Sequence, residues 1–329
     1  MTTILVTGGA GYIGSHVAHQ LGERGEKLVT LDNLSTGFRG AVLHGEFVQG
    51  DTGDAPLVAR VLAERRVDTV MHFAAHIQVP ESVANPLKYY RNNTASTRTL
   101  LECCVDAGVK NFVFSSTAAV YGMPEGGVAE ESSPTVPINP YGWSKLMSER
   151  MLIDVAAVTP LRYVALRYFN VAGADPDGRI GQSTPQATHL IKVACEHAVG
   201  RRAGIEIFGT DYDTPDGTCV RDYIHVEDLA AAHLQALDYL RSGGGSTTLN
   251  CGYGRGYSVR EVISAVASAA GKTLAVTESG RRAGDPPQLV AAARQIRQTL
   301  GWTPRYDDLP GIVATALAWE KRLLRQPMA

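Results

Sequence analysis

Ile4-Leu5-Val6-Thr7-Gly8-Gly9-Ala10-Gly11-Tyr12-Ile13-Gly14 is the stretch from which the fold can be read. The apolar run Ile4–Val6 predicts a short buried strand. The residues after it predict an amphipathic helix, with Ile13, Val17 and Leu21 on one face and Gly25 as its stop. Strand, glycine turn and helix start together form the context that a dinucleotide fingerprint requires. Gly8 permits the tight turn, Gly11 the close approach of backbone to a pyrophosphate, and Gly14 the packing of helix on strand. The helix N-terminus adds free N–H groups and a partial positive charge.

The spacing is GxxGxxG, and a chain with 34 glycines produces such patterns by chance. The next strand gives it weight. Leu28–Leu31 reads as a second strand running into Asp32-Asn33, and Asp32 lies 18 residues beyond Gly14. That is close to the ~20 residues at which an acid grips the adenosine ribose hydroxyls. A carboxylate there repels a 2′-phosphate, so the expected cofactor is NAD rather than NADP.

At 329 residues and 44% hydrophobic, the chain can bury a large core, and two subdomains are expected. A net charge of −2 gives no sign of a nucleic-acid or membrane surface. The N-terminus runs straight into the first strand, and no stretch approaches the ~20 apolar residues that span a bilayer. The five cysteines include no CxxC pair and read as reduced thiols of a cytoplasmic protein. The histidines show no metal-ligand spacing, so no metal site is assigned.

Strand-like and helical segments alternate through the first half. Glu46–Val48, Val67–Phe73, Asn111–Ser115 and Arg162–Arg167 read as strands. Helices are expected after an Asp54 cap and from about Pro86 to Gly108. The alternation predicts an α/β, doubly wound parallel sheet, whose ligands bind beyond the carboxyl ends of the strands. Asp32, Asp51, Phe73-Ala74-Ala75, Ser115-Ser116-Thr117 and Asn170 all fall at those ends, which one nucleotide site explains.

Asn139-Pro140 is a helix-start signal before Tyr141-Gly142-Trp143-Ser144-Lys145. Residues i and i+4 share a helix face, so the phenol and ammonium can point into one site. A free phenol with a pKa of ~10 is a poor base at neutral pH. A neighbouring cation favours the phenolate, so Lys145 is expected to draw Tyr141 toward neutrality. The Thr117 hydroxyl completes the arrangement. YxxxK alone also occurs on ordinary helices; its conjunction with the glycine turn and Asp32 makes it a catalytic candidate.

TGGAGYIG, Leu31-Asp32-Asn33, HFAA at His72–Ala75, YYRNN at Tyr89–Asn93, FSSTAAVYG at Phe114–Gly122, NPYGWSK and RYFNVAGA at Arg167–Ala174 resemble the extended short-chain dehydrogenase/reductase family. Gly217–Ala230 and Arg281–Pro287 narrow the resemblance to its UDP-glucose 4-epimerase branch, across essentially the whole chain. The resemblance implies a tightly held NAD, Tyr141 as acid–base and a 4-keto sugar that turns over in the pocket. It extends the cofactor set to Tyr12, Ile13, Asn33, Asn92 and Phe169. Contacts to a UDP-sugar are implied for Asn170, His189, Phe208, Arg221, Arg282 and Asp285, with Leu289 near the carbon 2 substituent. The arginine fork matches diphosphate oxygens. Relatives often carry serine at Thr117, lysine at Ile77, and asparagine or histidine at His189. A homodimer through the helices near Pro86–Gly108 and Tyr141–Val158 is also implied. Other nucleotide-sugar 4-epimerases, a dehydratase and a non-catalytic NAD sensor remain as alternatives.

The expected division is 1–172 for the NAD-binding half and 173–329 for a smaller mixed α/β sugar-binding lobe, with segments near 218–252 rejoining the first. Val226–Leu240 reads as a helix, Thr247–Asn250 as a strand returning to the nucleotide sheet, and Ser258 with Glu261 as a capping box.

Overall fold

The computed structural model describes residues 2–282 and 284–326. Met1, Ala283 of the Arg281–Pro287 block, and residues 327–329 lie outside the described residues.

A seven-stranded sheet runs through the centre, from β1 (Thr3–Thr7), β2 (Leu28–Asp32), β3 (Glu46–Gln49), β4 (Val67–His72), β5 (Asn111–Thr117), β7 (Arg162–Tyr168) and β11 (Thr247–Cys251). Its order is β11-β7-β5-β4-β1-β2-β3, and every pairing is parallel. The sequence shows why both faces must be covered. Ile4, Val6, Val113, Val164 and Leu166 belong to one buried cluster; Leu5, Val29, Leu31, Phe112, Phe114 and Ala165 belong to another. Alternate residues of each strand thus meet opposite layers, as an all-parallel sheet demands. The first layer holds α1 (Tyr12–Glu23) and α8 (Val226–Arg241). The second holds α2 (Ala55–Glu64), α5 (Ser96–Asp106) and α6 (Pro140–Val158).

The expected starts and stops are formed. Gly25 has φ +75° behind α1, and Asp54 caps α2 by accepting from Leu57 N–H at 3.1 Å. Asn139 caps α6 by accepting from Gly142 N–H at 2.9 Å. Ser258 and Glu261 make the reciprocal capping box of α9 (Val259–Ala270). Thr247–Cys251 pairs with β7, so the later half of the chain contributes the edge strand of the first sheet.

Two features differ from the sequence reading. The helix expected over Pro86–Gly108 is α4 (Pro86–Tyr89), a π-helical stretch Tyr90–Ala95, and then α5, with α3 (Val79–Ala84) unanticipated before it. The wider π turn changes which side chains face inward, a rephasing that apolar periodicity does not reveal. The second feature is a sheet of short strands: β6 (Val128–Ala129), β8 (Asn170–Ala172), β10 (Val220–His225), β12 (Gly256–Ser258) and β14 (Gln288–Ala291). A further pair, β9 (Ile205–Phe208) with β13 (Val276–Ser279), lies apart from it. The helices α7 (Leu190–Ala198), α10 (Arg294–Leu300) and α11 (Leu309–Arg325) complete this half. Among the described residues no helix is long and apolar enough to cross a membrane.

Candidate active site

Backbone meets backbone at the glycine turn. Gly8 has φ +70°, and a Cβ there would lie 2.5 Å from the Ala74 nitrogen. A Cβ on Gly14 would lie 2.3 Å from the Gly8 carbonyl oxygen. Neither neighbour can yield, so only glycine lets α1 and the Phe73–Ala75 loop close on the turn. Gly11 is the N-cap of α1 without a side-chain cap, leaving the first N–H groups of the helix free for an anion. Tyr12 donates its hydroxyl to the Gly173 carbonyl at 2.7 Å, and Ile13 packs on the core.

Asp32, at the end of β2, accepts from Ala10 N–H at 2.9 Å and Leu34 N–H at 2.8 Å. Burial pushes its carboxyl pKa up, and the two backbone donors oppose that shift. Asn33 donates to Asp51 at 2.9 Å, which joins the ends of β2 and β3. The turn, Asp32, Asn33, Asp51 and the Phe73–Ala75 loop thus form one continuous rim.

Asn92 lies on the π-helical stretch and donates to its neighbour Asn93 at 2.9 Å. The central residue here is Asn93. It accepts from His76 N–H at 2.8 Å and donates to the His76 carbonyl at 2.9 Å and to Ser144 at 3.0 Å. It therefore fixes the loop after β4 against α6. The sequence block YYRNN contains it, but helical phase alone does not distinguish Asn93 from Asn92.

Tyr141, Lys145 and Glu149 lie on successive turns of one buried face of α6. Lys145 Nζ donates to the Ser115 carbonyl at 2.9 Å and lies 4.9 Å from the Phe114 ring centre. Ser115 Oγ meets the Tyr168 hydroxyl at 2.5 Å; the RYFNVAGA block contains Tyr168, but the sequence alone assigns it no place in the site. The Thr117 hydroxyl lowers the pKa of the Tyr141 phenol and accepts from Ala119 N–H at 3.1 Å. The expectation that Lys145 draws the phenol toward neutrality meets a stronger opposing effect. Burial pushes Tyr141 up to about 12, with only the Thr117 hydrogen bond lowering it. The same burial pushes Lys145 down to about 7, opposed by the Glu149 carboxylate.

The short-strand sheet carries the remaining residues. Parallel register sets Asn170 beside Tyr223 and Leu289 beside Arg221. Leu289 and Phe169 pack with Ala118, the residue after Thr117. Arg221 lies 3.8 Å from the Asp285 carboxylate, and the Arg282 guanidinium lies 3.9 Å over the Phe208 ring. Asp285 N–H reaches the Arg282 carbonyl at 3.4 Å. These contacts join Phe208, Arg282, Asp285, Arg221 and Leu289 into one chain of neighbours. His189 is the outlier: its ring Nδ1 pairs with Gln182 Nε2 at 2.9 Å, and burial lowers its pKa.

Comparison with known proteins gives a consistent result. The pattern of the NAD dependent epimerase/dehydratase family matches residues 4–252. The chain is 61% identical over 321 residues to the UDP-glucose 4-epimerase of Azospirillum brasilense, covering 97% of this chain and 92% of that protein. The crystal structure of the Brucella ovis UDP-glucose 4-epimerase in complex with NAD superposes with a TM-score of 0.94 at 46% identity, covering 97% of this chain and 98% of that one. The Campylobacter jejuni UDP-Glc/GlcNAc 4-epimerase superposes with a TM-score of 0.85 at 49% identity, covering 98% of this chain and all of that one (100%).

The depressed Lys145 has a measurable consequence. Below pH 7 the folded and unfolded chains both hold its proton, and the folded chain bears the full cost of burying the charge. Between about 7 and the ordinary 10.5 the unfolded chain holds more protons, so this cost is relieved as pH rises, at up to about 1.4 kcal/mol per pH unit. Lys145→Met should therefore be more stable than the parent near pH 6, with the gap closing toward pH 10. Urea unfolding of the cofactor-free proteins across that range measures it, and a gap that does not change with pH would contradict it.

Proposed function

The chain belongs to the NAD dependent epimerase/dehydratase family, and we propose that it interconverts UDP-galactose and UDP-glucose through a 4-keto sugar, as an NAD-dependent 4-epimerase. The observation that carries this reading is the convergence of Thr117, Tyr141 and Lys145 at the end of β5. Leu289 and Phe169, from beside the arginine group, pack against the adjoining Ala118.

The residues present fit NAD. Gly8 and Gly14 let α1 and the Phe73–Ala75 loop close on the turn, where a Cβ would strike backbone; the uncapped N–H groups of α1 would hold the pyrophosphate, and Asp32 the ribose. NAD held there would supply a reversible hydride acceptor for sugar carbon 4. Tyr141 takes the proton of the 4-hydroxyl and later gives it back. Burial disfavours the phenolate that this requires, so the charge of Lys145 one turn away has to favour it, with Glu149 supporting that charge. Thr117 holds the phenol oxygen and bonds the sugar oxygen that exchanges the proton. Arg221 and Arg282 suit the diphosphate, Asp285 and Phe208 orient them, and Asn170 and His189 complete the sugar side.

We divide the chain into an NAD-binding part, 1–172 with a return near 218–252, and a UDP-sugar lobe; the pairing of β11 with β7 supports that return, whereas β8 and β10 pair within the short-strand sheet. Five free, buried cysteines among the described residues support a cytoplasmic place for this step of galactose metabolism. We assign a homodimer to the helices within 86–108 and 141–158. Trp143 and Met147, one turn apart on α6, are exposed there, as is Leu87. Light scattering at working concentration should give twice the chain mass; a monomer would refute the dimer.

Incubation with UDP-galactose, followed by NMR, should yield UDP-glucose. A 4-keto-6-deoxy sugar would indicate a dehydratase, and an unchanged substrate a sensor. Tyr141→Phe should retain NAD yet lose about 10²–10⁴-fold in kcat; near-normal turnover would overturn its role.

Leu289 sets substrate breadth. It is smaller than the tyrosine of relatives restricted to glucose and galactose, so the pocket should admit an N-acetyl group at carbon 2. Some activity on UDP-N-acetylglucosamine is expected, and Leu289→Tyr should lose it selectively, because steric rejection falls on that substrate alone. The ratio of kcat/KM for the two pairs decides. Equal losses on both, or no N-acetyl activity in the parent, would remove Leu289 from this role.

A further inference from the structure

On the outer side of α1, away from the substrate residues, three potential ligand atoms converge. His19 and Glu23 are one turn apart on the helix, and His44 comes from the connection between β2 and β3. Their ligand atoms all lie within 4.8 Å of one another. His44 Nε2 is 3.1 Å from His19 Nδ1 and 3.4 Å from Glu23 Oε1. The ring planes are 22° apart with centroids at 5.1 Å, too far for face-to-face contact. The rings therefore meet through their nitrogen-bearing edges.

We propose that His19, Glu23 and His44 bind one divalent transition-metal ion of the zinc class, clamping α1 to the β2–β3 connection. The spacing suits such an ion. Two nitrogens each ~2.05 Å from zinc at a tetrahedral angle lie about 3.3 Å apart, close to the 3.1 Å between the two rings, and the exposed Glu23 carboxylate can swing onto the ion. Two imidazoles and a carboxylate are a borderline donor set, and water fills the fourth position.

Protons satisfy the group less well than a metal does. His44 Nε2 carries at most one hydrogen but faces two acceptors, His19 Nδ1 and Glu23 Oε1. If His19 donates instead, the His44 lone pair faces the carboxylate. A cation at the centre satisfies all three atoms together. Burial and the nearby Arg179 lower the pKa of His19, which leaves its ring neutral and ready to ligate. Arg179 is itself paired with Asp175 at 2.8 Å and Asp177 at 2.9 Å, so its charge opposes the ion only weakly.

A second observation concerns Gly22. A Cβ there would lie 2.2 Å from the His44 ring. Glycine inside a helix costs roughly 1 kcal/mol relative to alanine, and here it is what lets the His44 ring lie against α1 beside His19. His44 closes the connection whose Phe38 N–H bonds the Ala10 carbonyl of the glycine turn at 3.0 Å. Thr36, Phe38 and Ala41 of that connection line a cavity together with Gly11 and Tyr12. A metal at His44 would thus pin both ends of the segment that passes over the turn.

Zinc titration of the tag-free, NAD-loaded protein by calorimetry tests this, with cobalt as a spectroscopic substitute. One equivalent should bind saturably, raise Tm, and with cobalt give the intense visible absorption of a four-coordinate site. Loss of an outer-shell partner alone costs about 10–100-fold in metal affinity, so His44→Ala should weaken binding by about 100-fold or more. Glu23→Gln, a change at an exposed position, should weaken it without disturbing the fold. No stoichiometric binding in the parent, or equal binding in both variants, would overturn the proposal.

Discussion

The buried pair of Glu149 and Arg167 is the joint on which the site depends. Arg167 donates to the Glu149 carboxylate at 2.6 Å and 3.0 Å, and Ser116 donates to the same group. Arg167 also donates to the Tyr121 hydroxyl at 2.9 Å. That hydroxyl donates to Asn250 at 2.7 Å, and Asn250 donates to the Ala129 carbonyl at 2.8 Å. The chain of bonds runs from α6 through β5, β7 and β11 to β6, so the catalytic helix, the parallel sheet and the short-strand sheet share one polar core. Replacing a whole buried pair with apolar groups is often tolerated, whereas removing one partner costs about 3–5 kcal/mol. The pair is thus better understood as fixing geometry than as adding stability. It holds the face of α6 that presents Tyr141 and Lys145, and its carboxylate also supports the charge on Lys145.

The nucleotide half is legible in the sequence because its signals are local. A glycine with positive φ, an acid at the end of the next strand, and the caps Asp54, Asn139 and Ser258 each depend on a few adjacent residues. The unbroken apolar runs Ile4–Val6 of β1 and Phe112–Phe114 of β5 mark a sheet covered on both faces. The strand at Thr247–Cys251 is also readable, as a short β-prone run after a glycine-rich loop.

The hidden features depend on distant partners. β6, β8, β12 and β14 have two to four residues each, too few for periodicity to show; β8, β12 and β14 exist through pairing with β10, and β6 through pairing with β14. Glu149 and Asp222 look like ordinary surface acids in the sequence. Yet Asp222 is fully buried, accepts from the backbone N–H groups of Tyr253, Gly254 and Ala291, and is pushed up to about 6 by burial. It fixes the strand that carries Arg221 against the one that carries Leu289. The raised pKa of Tyr141 is hidden for a related reason: the i+4 lysine is visible in the sequence, but the burial of both groups is not.

The environment of Thr117 bears on reaction class. Ala118 and Ala119 follow it, and neither side chain can take the second proton that an elimination of water requires. Ala118 is packed against Phe169 and Leu289, and its neighbours supply no partner for a charge there. An ionised side chain at that position would be buried without compensation. Tyr141 is thus the one proton-exchanging group that the proposed reaction calls on. A single acid–base serves a reaction that removes and restores the same proton, as epimerisation at carbon 4 does. Elimination needs a second group to act at carbons 5 and 6. The mutual burial of Tyr141 and Lys145 suits the simpler reaction, since each disfavours charge when alone and each gains when the other is charged. Proton transfer is thereby tied to the electrostatic state of one helix face, where burial of the pair makes each charge depend on the other.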